Sequence, residues 1–522
     1  MRKLYYNGKI LCVESGEYAR AVLTEDGRII AVGEEAYLRE LGGRRAEAVD
    51  LAGGTLIPGF VGGGRFLRDA MQYFWADLCP GLAEYREVDF SRLFSLLSGF
   101  ERIYEDTPGH ILAVKGLPLA YSRALCRENN PLYDSFLHRP LFVLAAGESV
   151  GFVNRAGVVR WNLPEASRGI ISGALLERTL GEMPLPSLRK RQKALADTGK
   201  RYAARGVTTL WENRVTEAHL PWLRAFSRER GAGQFLYGDS EIEQYERIKR
   251  AYPAPAGGFC LRALHAELDG AFRQAGEHAL YYSDRAISLA LSMAIAEGVN
   301  ISFGAHSEDA VEQLLRVAGA MSRARPGFVR LRVALTEVMH LCPERGRMEA
   351  LRRLGIVPIF AMGTLAECAE TLCALIGWEE TQSACPAADA LRCRVPFALD
   401  ATRPGALPAP LETAFFAAFR RDGVGVPFGT GQSIDWQAAL RALTLMPAYA
   451  LGLEETVGSI RAGKAADFVW LDTDLSAADR GDSVPFDLSV ARLRGTFVRD
   501  VFYAPDSTDE FSTRSDRVLN IY

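Results

Sequence analysis

The sequence predicts an α/β protein: a TIM-type (β/α)8 barrel carrying a small β-sandwich built from both chain termini. Three observations predict it. The chain is 522 residues long with 48% apolar residues, which suits a large barrel plus a smaller module. Short apolar runs alternate with helical patterns through its middle. Segments rich in β-branched and aromatic residues stand at both ends. The corresponding domains are 1–54 for the first part of the sandwich, 55–450 for the barrel and 451–522 for the second part.

At the N-terminal end, residues 4–13 and 19–23 are strand-like, and Glu25-Asp26-Gly27 is a hairpin turn before 29–32. At the C-terminal end, 466–471 and 490–503 have the same character. In between, apolar runs occur at 141–145, 207–211, 259–264, 299–303, 329–335, 356–361 and 395–399. Helical patterns separate several of them, at 285–297, 308–321, 411–421 and 436–445. Ser307 is placed to cap the second of these helices, with Glu308 and Asp309 in its first turn. In a parallel barrel the chemistry sits at the C-terminal ends of the strands, so candidate residues are sought there.

Composition excludes several classes. The 61 basic and 64 acidic residues give a net charge of -3, with no electrostatic case for nucleic acid or an anionic membrane. The longest apolar runs, such as 141–146, fall far short of the roughly 20 residues of a membrane helix. Residues 1–13 read as strand and turn, not as a secretion signal. The nine cysteines include no pair at zinc-ribbon spacing. An odd number of thiols without a secretion signal reads as reduced, which implies a cytoplasmic protein.

Specific motifs add a family resemblance. The run Asp50-Leu-Ala-Gly-Gly-Thr-Leu-Ile-Pro-Gly-Phe-Val61 resembles the entry to the first barrel strand of the amidohydrolase superfamily. The likeness is closer to its long-chain, amidohydrolase-3 branch, which includes formamide deformylase-like enzymes. Residues 203–209 (AARGVTT), Leu268-Asp269-Gly270 followed by Tyr281-Tyr-Ser-Asp284, and Leu354-Gly355-Ile356 match that branch in order. So does Val457-Gly-Ser-Ile-Arg-Ala-Gly-Lys-Ala-Ala-Asp-Phe-Val469, which is close to its C-terminal signature. The likeness spans roughly residues 1–505.

The resemblance implies hydrolysis of amide-type C–N bonds by metal-bound water, and it also marks where this chain departs. The family's His-x-His pair after Pro-Gly-Phe falls on Gly64 and Phe66, neither of which can bind a metal. The lysine before "DG" aligns with His265, and the histidine ending the next strand aligns with Gly304. The following histidine falls near Glu337 when Cys342-Pro343-Glu344 is the anchor; a shift of two residues puts Leu335 there. The general-base aspartate is retained as Asp400, and a substrate-contacting histidine position corresponds to Ser149.

These departures lead to an amidohydrolase-like protein without the usual metal site and with no cofactor. It would bind a small molecule at the barrel mouth without ordinary hydrolysis, as a pseudoenzyme. The first alternative is a C–N hydrolase with zinc or another divalent ion in a rebuilt site at His265, Glu337 and Asp400, since two carboxylates and an imidazole suit zinc or manganese. The second is a non-catalytic scaffold subunit. Arg65 stands where the ligands are missing, and its guanidinium could replace part of the lost charge beside Asp400. The glycines Gly62-Gly63-Gly64 could turn their amides toward an anion, although such a run is more often a tight turn. Gly147-Glu148-Ser149-Val150-Gly151 has the spacing of a nucleophile elbow but no strand-to-helix context. The loop Met71-Gln-Tyr-Phe-Trp75 is read either as an apolar lid or as ordinary loop packing. The partner is a small-molecule ligand, and the family habit adds a possible homodimer.

Overall fold

Eight short strands carry the barrel. They are β1 (Phe60–Gly62), β2 (Val207–Glu212), β3 (Phe235–Glu241), β4 (Phe259–Glu267), β5 (Asn300–Gly304), β6 (Val333–Val338), β7 (Ile356–Phe360) and β8 (Ala398–Leu399). Each pairs in parallel with the next, in chain order, to give one curled eight-stranded sheet. The architecture is a TIM-type (β/α)8 barrel. This structure, a computed structural model, describes residues 1–82, 88–103, 108–135, 138–228, 233–252, 258–269, 280–325, 327–328, 331–339, 341, 345–421, 427–476 and 491–505. The motif residues Gly270 and Cys342-Pro343-Glu344, and Val329, Arg330 and Val490 of the expected strands, lie outside them.

The helices between the strands follow local rules. Ser307 caps the helix Glu308–Ala324 by accepting from the Ala310 amide, with Glu308 and Asp309 in the first turn as expected. Ser283 caps Asp284–Glu297 in the same way, and Gly298 ends that helix at φ 65°, a left-handed value that favours glycine. Their apolar faces, including Leu291, Val311, Leu314 and Ala318, pack in one cluster with Leu264, Phe303 and Leu335 of the strands.

Both chain ends close a β-sandwich. A six-stranded sheet runs in the order Val501–Tyr503, Leu493–Val498, Phe468–Leu471, Thr55–Pro58, Lys9–Cys12, Glu17–Ala19. A four-stranded sheet has the order Arg28–Gly33, Ala21–Glu25, Arg2–Tyr6, Glu47–Asp50. Between them, Tyr5 meets Phe468 and Phe497 edge-on at 5.3 and 4.9 Å.

The span read as barrel, 55–450, also holds a second compact unit, residues 67–198 with 403–407. Its five-stranded sheet has the order Ile170–Ser172, Val150–Val153, Leu141–Ala145, Leu112–Leu117, Ala76–Asp77. The run 141–145, read from sequence among the barrel strands, therefore belongs to this sheet, where all five of its residues are buried. The true barrel strand β3 escaped the sequence reading because Gly238, Asp239 and Ser240 interrupt its apolar run. All three are nonetheless buried.

Among the described residues, no helix is long and apolar enough to cross a membrane, and all eight described cysteines are free thiols.

One aspartate ties the first strands to the last hairpin. Asp500 Oδ1 accepts from Tyr5 Oη (2.9 Å) and Thr24 Oγ1 (2.8 Å), and Oδ2 accepts from the Gly27 amide (2.9 Å). Removing a buried acceptor strands its donors, so Asp500→Ala is expected to lower the unfolding free energy by about 3 kcal/mol. Asp500→Asn, which keeps one carbonyl acceptor, should cost less. Urea unfolding of the two variants checks the order.

Candidate active site

Two residues at the C-terminal end of β4 share one face, because strand side chains alternate. They are His265 and Glu267. The His265 ring is fully buried, its Nδ1 2.9 Å from Ser302 Oγ on β5. Ser302 Oγ donates to Asp239 Oδ2 on β3 at 3.0 Å, and Asp239 Oδ1 lies 3.8 Å from His265 Nδ1. Burial lowers the His265 pKa, but the charges of Asp239 and Glu267 outweigh it and hold the ring above its ordinary value. This is a column of buried polar groups beneath the barrel mouth.

Glu267 stands at the top of that column. Its Oε2 is 3.4 Å from His265 Nε2 and 3.2 Å from Arg214 Nη1, and its Oε1 is 3.1 Å from His306 Nε2. His306 Nε2 lies an equal 3.1 Å from Glu337 Oε2, and Arg214 Nη2 is 3.7 Å from Glu337 Oε1. Two carboxylates from the ends of β4 and β6 thus share an imidazole and a guanidinium. Burial pushes Glu267 up, but hydrogen bonds from His265 and His306 and the Arg214 charge hold it well below the usual carboxylate range. Glu337 is shifted down too, with desolvation opposed by His306 and Arg214. For His306, burial acts downward, and hydrogen bonds to Glu267 and Glu337 raise the ring to about 10. It is an imidazolium at neutral pH.

The backbone around these groups is specialised. Asp269 accepts from the amides of His306 and Ser307 at 2.8 Å each, which fixes the loop entering the helix Glu308–Ala324. The Arg214 amide donates to Asp239 Oδ1 at 2.6 Å. Arg214 and Glu337 both have left-handed φ, 54° and 61°, an uncommon conformation for such residues. Glu337 sits where the β6–β7 register shifts between Leu335 and Val338. A bulge of this kind re-aims a side chain.

Asp400 follows β8. Its Oδ1 accepts from the Thr402 amide (3.0 Å) and Thr402 Oγ1 (2.8 Å), and Oδ2 accepts no hydrogen bond among the described residues. Desolvation lifts its pKa above the usual range, against the Thr402 hydrogen bonds; Glu337's charge adds to the rise and Arg65's charge opposes it. Arg65 and Glu212 form a β-bridge.

The two first-strand positions matched by resemblance to metal ligands, Gly64 and Phe66, carry no donor side chain. Phe66 is fully buried and meets Tyr202 and Phe226 edge-on at 5.5 and 5.8 Å. Gly64 has φ 33°, and its carbonyl accepts from the Asn213 amide at 3.0 Å. A Cβ on Gly63, at φ 104°, would meet the Tyr202 ring at 2.6 Å, so this glycine run makes room for a neighbour. The family's first-strand metal site does not fit these residues.

A different group does fit a divalent ion. Glu267, Asp269 and His306 each offer a donor atom, and all three atoms lie within 4.8 Å of one another. Two carboxylates and an imidazole suit zinc or manganese. Of the rebuilt site expected from sequence, His265 lies beneath this group, Glu337 borders it through His306, and Asp400 is related to it through Glu337's charge. Sequence reasoning passed over Glu267, Asp269, His306 and Arg214. Strand parity two residues beyond His265 could have found Glu267.

Ser149 belongs to the second unit, in the turn between strands Leu141–Ala145 and Val150–Val153, which pair antiparallel. That hairpin is not a strand-to-helix elbow. Trp75 of the expected lid packs edge-on against Phe142 at 5.6 Å, within the same unit.

Fold and site define a (β/α)8 barrel with polar groups at its C-terminal strand ends. The chain belongs to the amidohydrolase family, whose sequence pattern matches residues 132–499. It is 24% identical over 512 residues to an N-substituted formamide deformylase from Arthrobacter pascens, covering 87% of this chain and 90% of that one. An uncharacterized metal-dependent hydrolase from Pyrococcus horikoshii has the same fold, with a TM-score of 0.73 at 15% identity over 91% of this chain and 98% of its own. An adenosine deaminase from Xanthomonas campestris with bound zinc gives 0.55 at 14% identity, over 99% and 98%.

The raised His306 pKa links the site to stability. A group whose pKa is higher folded than unfolded stabilises fully below its unfolded value, and that contribution is lost as pH rises through the folded value. For His306 the window runs from 6.5 to about 10. In chelator-treated protein, the stability advantage of wild type over His306→Gln is expected to shrink across this window, by at most about 5 kcal/mol at about 1.4 kcal/mol per pH unit. Denaturant unfolding at both ends of it provides the measurement.

Proposed function

We propose that this chain is a hydrolase acting on an amide-type C–N bond of a small molecule at the barrel mouth. The observation that carries the reading is the clasp of His306 between Glu267 and Glu337 at 3.1 Å each, on strand ends where this fold places its chemistry. The formamide deformylase relative supports the bond type. Glu267, Asp269 and His306 would hold a divalent ion, which when bound supplies a water of lowered pKa and polarises a carbonyl. Asp400 moves the proton. Its Oδ1 is anchored by Thr402, so Oδ2 takes a proton from the attacking water and returns it to the departing amine. A pKa above the usual carboxylate range suits both directions of transfer. Arg214 holds Glu267 and Glu337 in place and orients an electron-rich substrate group.

A second reading, a ligand-binding pocket without ordinary hydrolysis, is favoured by one observation. Arg214 and protonated His306 already bring two positive charges to the carboxylates a cation would need.

One preparation separates the two. Protein purified without added metal is analysed for metal and assayed for formate release from N-substituted formamides, with and without zinc or manganese. The hydrolase reading expects about one equivalent of bound metal, or activation on adding it, and loss of activity with chelator. Asp400→Asn should then lower kcat about 100-fold with little change in KM. In wild type, kcat should rise with pH through a limb above the ordinary aspartate range, because the base must be ionised. Metal below about a tenth of an equivalent, no turnover under any condition and a ligand-dependent rise in Tm would instead establish the pocket reading.

A further inference from the structure

Gly304 ends β5 directly across from Glu267 in the β4–β5 register. An ideal Cβ on Gly304 would lie 2.4 Å from Glu267 Oε1 and 2.6 Å from both Cδ and Oε2. Real side chains do not approach so closely. Gly304 is not among the glycines with left-handed φ, so its backbone does not call for glycine; the neighbouring carboxylate does. The Gly304 carbonyl accepts from the Leu268 amide at 2.8 Å, which holds the two strand ends together. With no side chain in the way, the Glu267 carboxylate lies in the vacant place, within reach of His306, His265 and Arg214 at once.

We propose that Gly304 is a positioning residue whose missing side chain is the seat of the Glu267 carboxylate, so that this one glycine determines whether the Glu267–His306–Glu337 clasp forms. The positioning claim rests on geometry alone; only its catalytic consequence rests on the hydrolase reading. The obstruction a methyl group would create is with the far end of a flexible side chain. Gly304→Ala should therefore fold, with Glu267 swung out of the clasp.

The test is a double-mutant cycle with Gly304→Ala, Glu267→Ala and the double variant, each as the full chain. In thermal unfolding, Gly304→Ala is expected to lower Tm by several degrees in the native background and to change nothing further in the Glu267→Ala background. Failure to fold in the native background only would be the same coupling in stronger form. Equal losses in both backgrounds, failure to fold in both, or no effect in the native background would overturn the proposal. Steady-state kinetics on an N-substituted formamide form the second arm. There Gly304→Ala should reduce kcat about 100-fold with KM little changed, and add nothing to Glu267→Ala. A wild type without turnover would sink the hydrolase reading, while the Tm cycle would still decide the positioning.

Discussion

Everything at the barrel mouth depends on how Glu267 and Glu337 are kept ionised side by side. Two carboxylates brought this close repel, and one would ordinarily hold its proton. Here His306 stands between them and Arg214 reaches both. Each surrounding feature serves that arrangement. Asp269 fixes the backbone that carries His306, Asp239 fixes the backbone that carries Arg214, the bulge in β6 aims Glu337, and the bare Gly304 gives Glu267 its place. Because the groups are mutually satisfied, removing any one leaves an uncompensated charge in a partly dry space, which is far costlier than losing one contact on the surface.

Apolar and polar groups are divided between the strand ends. Beyond the end of β1 the groups are apolar: Phe66 is packed among Tyr202 and Phe226. The polar groups are gathered on β4, β5 and β6 instead. At Gly304 the absent side chain leaves space that is taken by the Glu267 carboxylate of β4, the preceding strand. Asp400 stands at the end of β8.

The sequence made the architecture legible wherever a strand is an unbroken apolar run, as in 207–211 or 356–360. It failed at β3, because Asp239 is a buried polar residue whose partners, the Arg214 amide and Ser302, come from elsewhere in the barrel, and no local pattern shows that compensation. It also assigned 141–145 to the barrel, since a buried strand of another sheet has the same composition. At the site, His265, Gly304, Glu337 and Asp400 were legible by motif. Glu337 was uncertain by two residues because its anchor, Cys342-Pro343-Glu344, lies beyond the strand and allows a shift that puts Leu335 there. His306 was not singled out, since it lies beyond its strand in a loop whose position is set by Asp269, 37 residues away in the chain.

The buried column of Asp239, Ser302 and His265 gives the site its rigidity, and rigidity decides what can enter. These three groups lie on three adjacent strands and hydrogen-bond one another with almost no exposure to solvent. His265 is therefore locked, and Glu267 above it is held from below as well as from the sides. A cation arriving at Glu267, Asp269 and His306 would find its donors already in place, with little ordering cost. It would have to displace the His306 proton and compete with Arg214 for Glu267. Binding is thus opposed by charge rather than by disorder, so it strengthens as pH rises and the proton becomes easier to remove. An anionic ligand meets the reverse competition. Arg214 and the imidazolium are positive, but both are already shared with Glu267 and Glu337, so an anion would have to compete with those carboxylates for them.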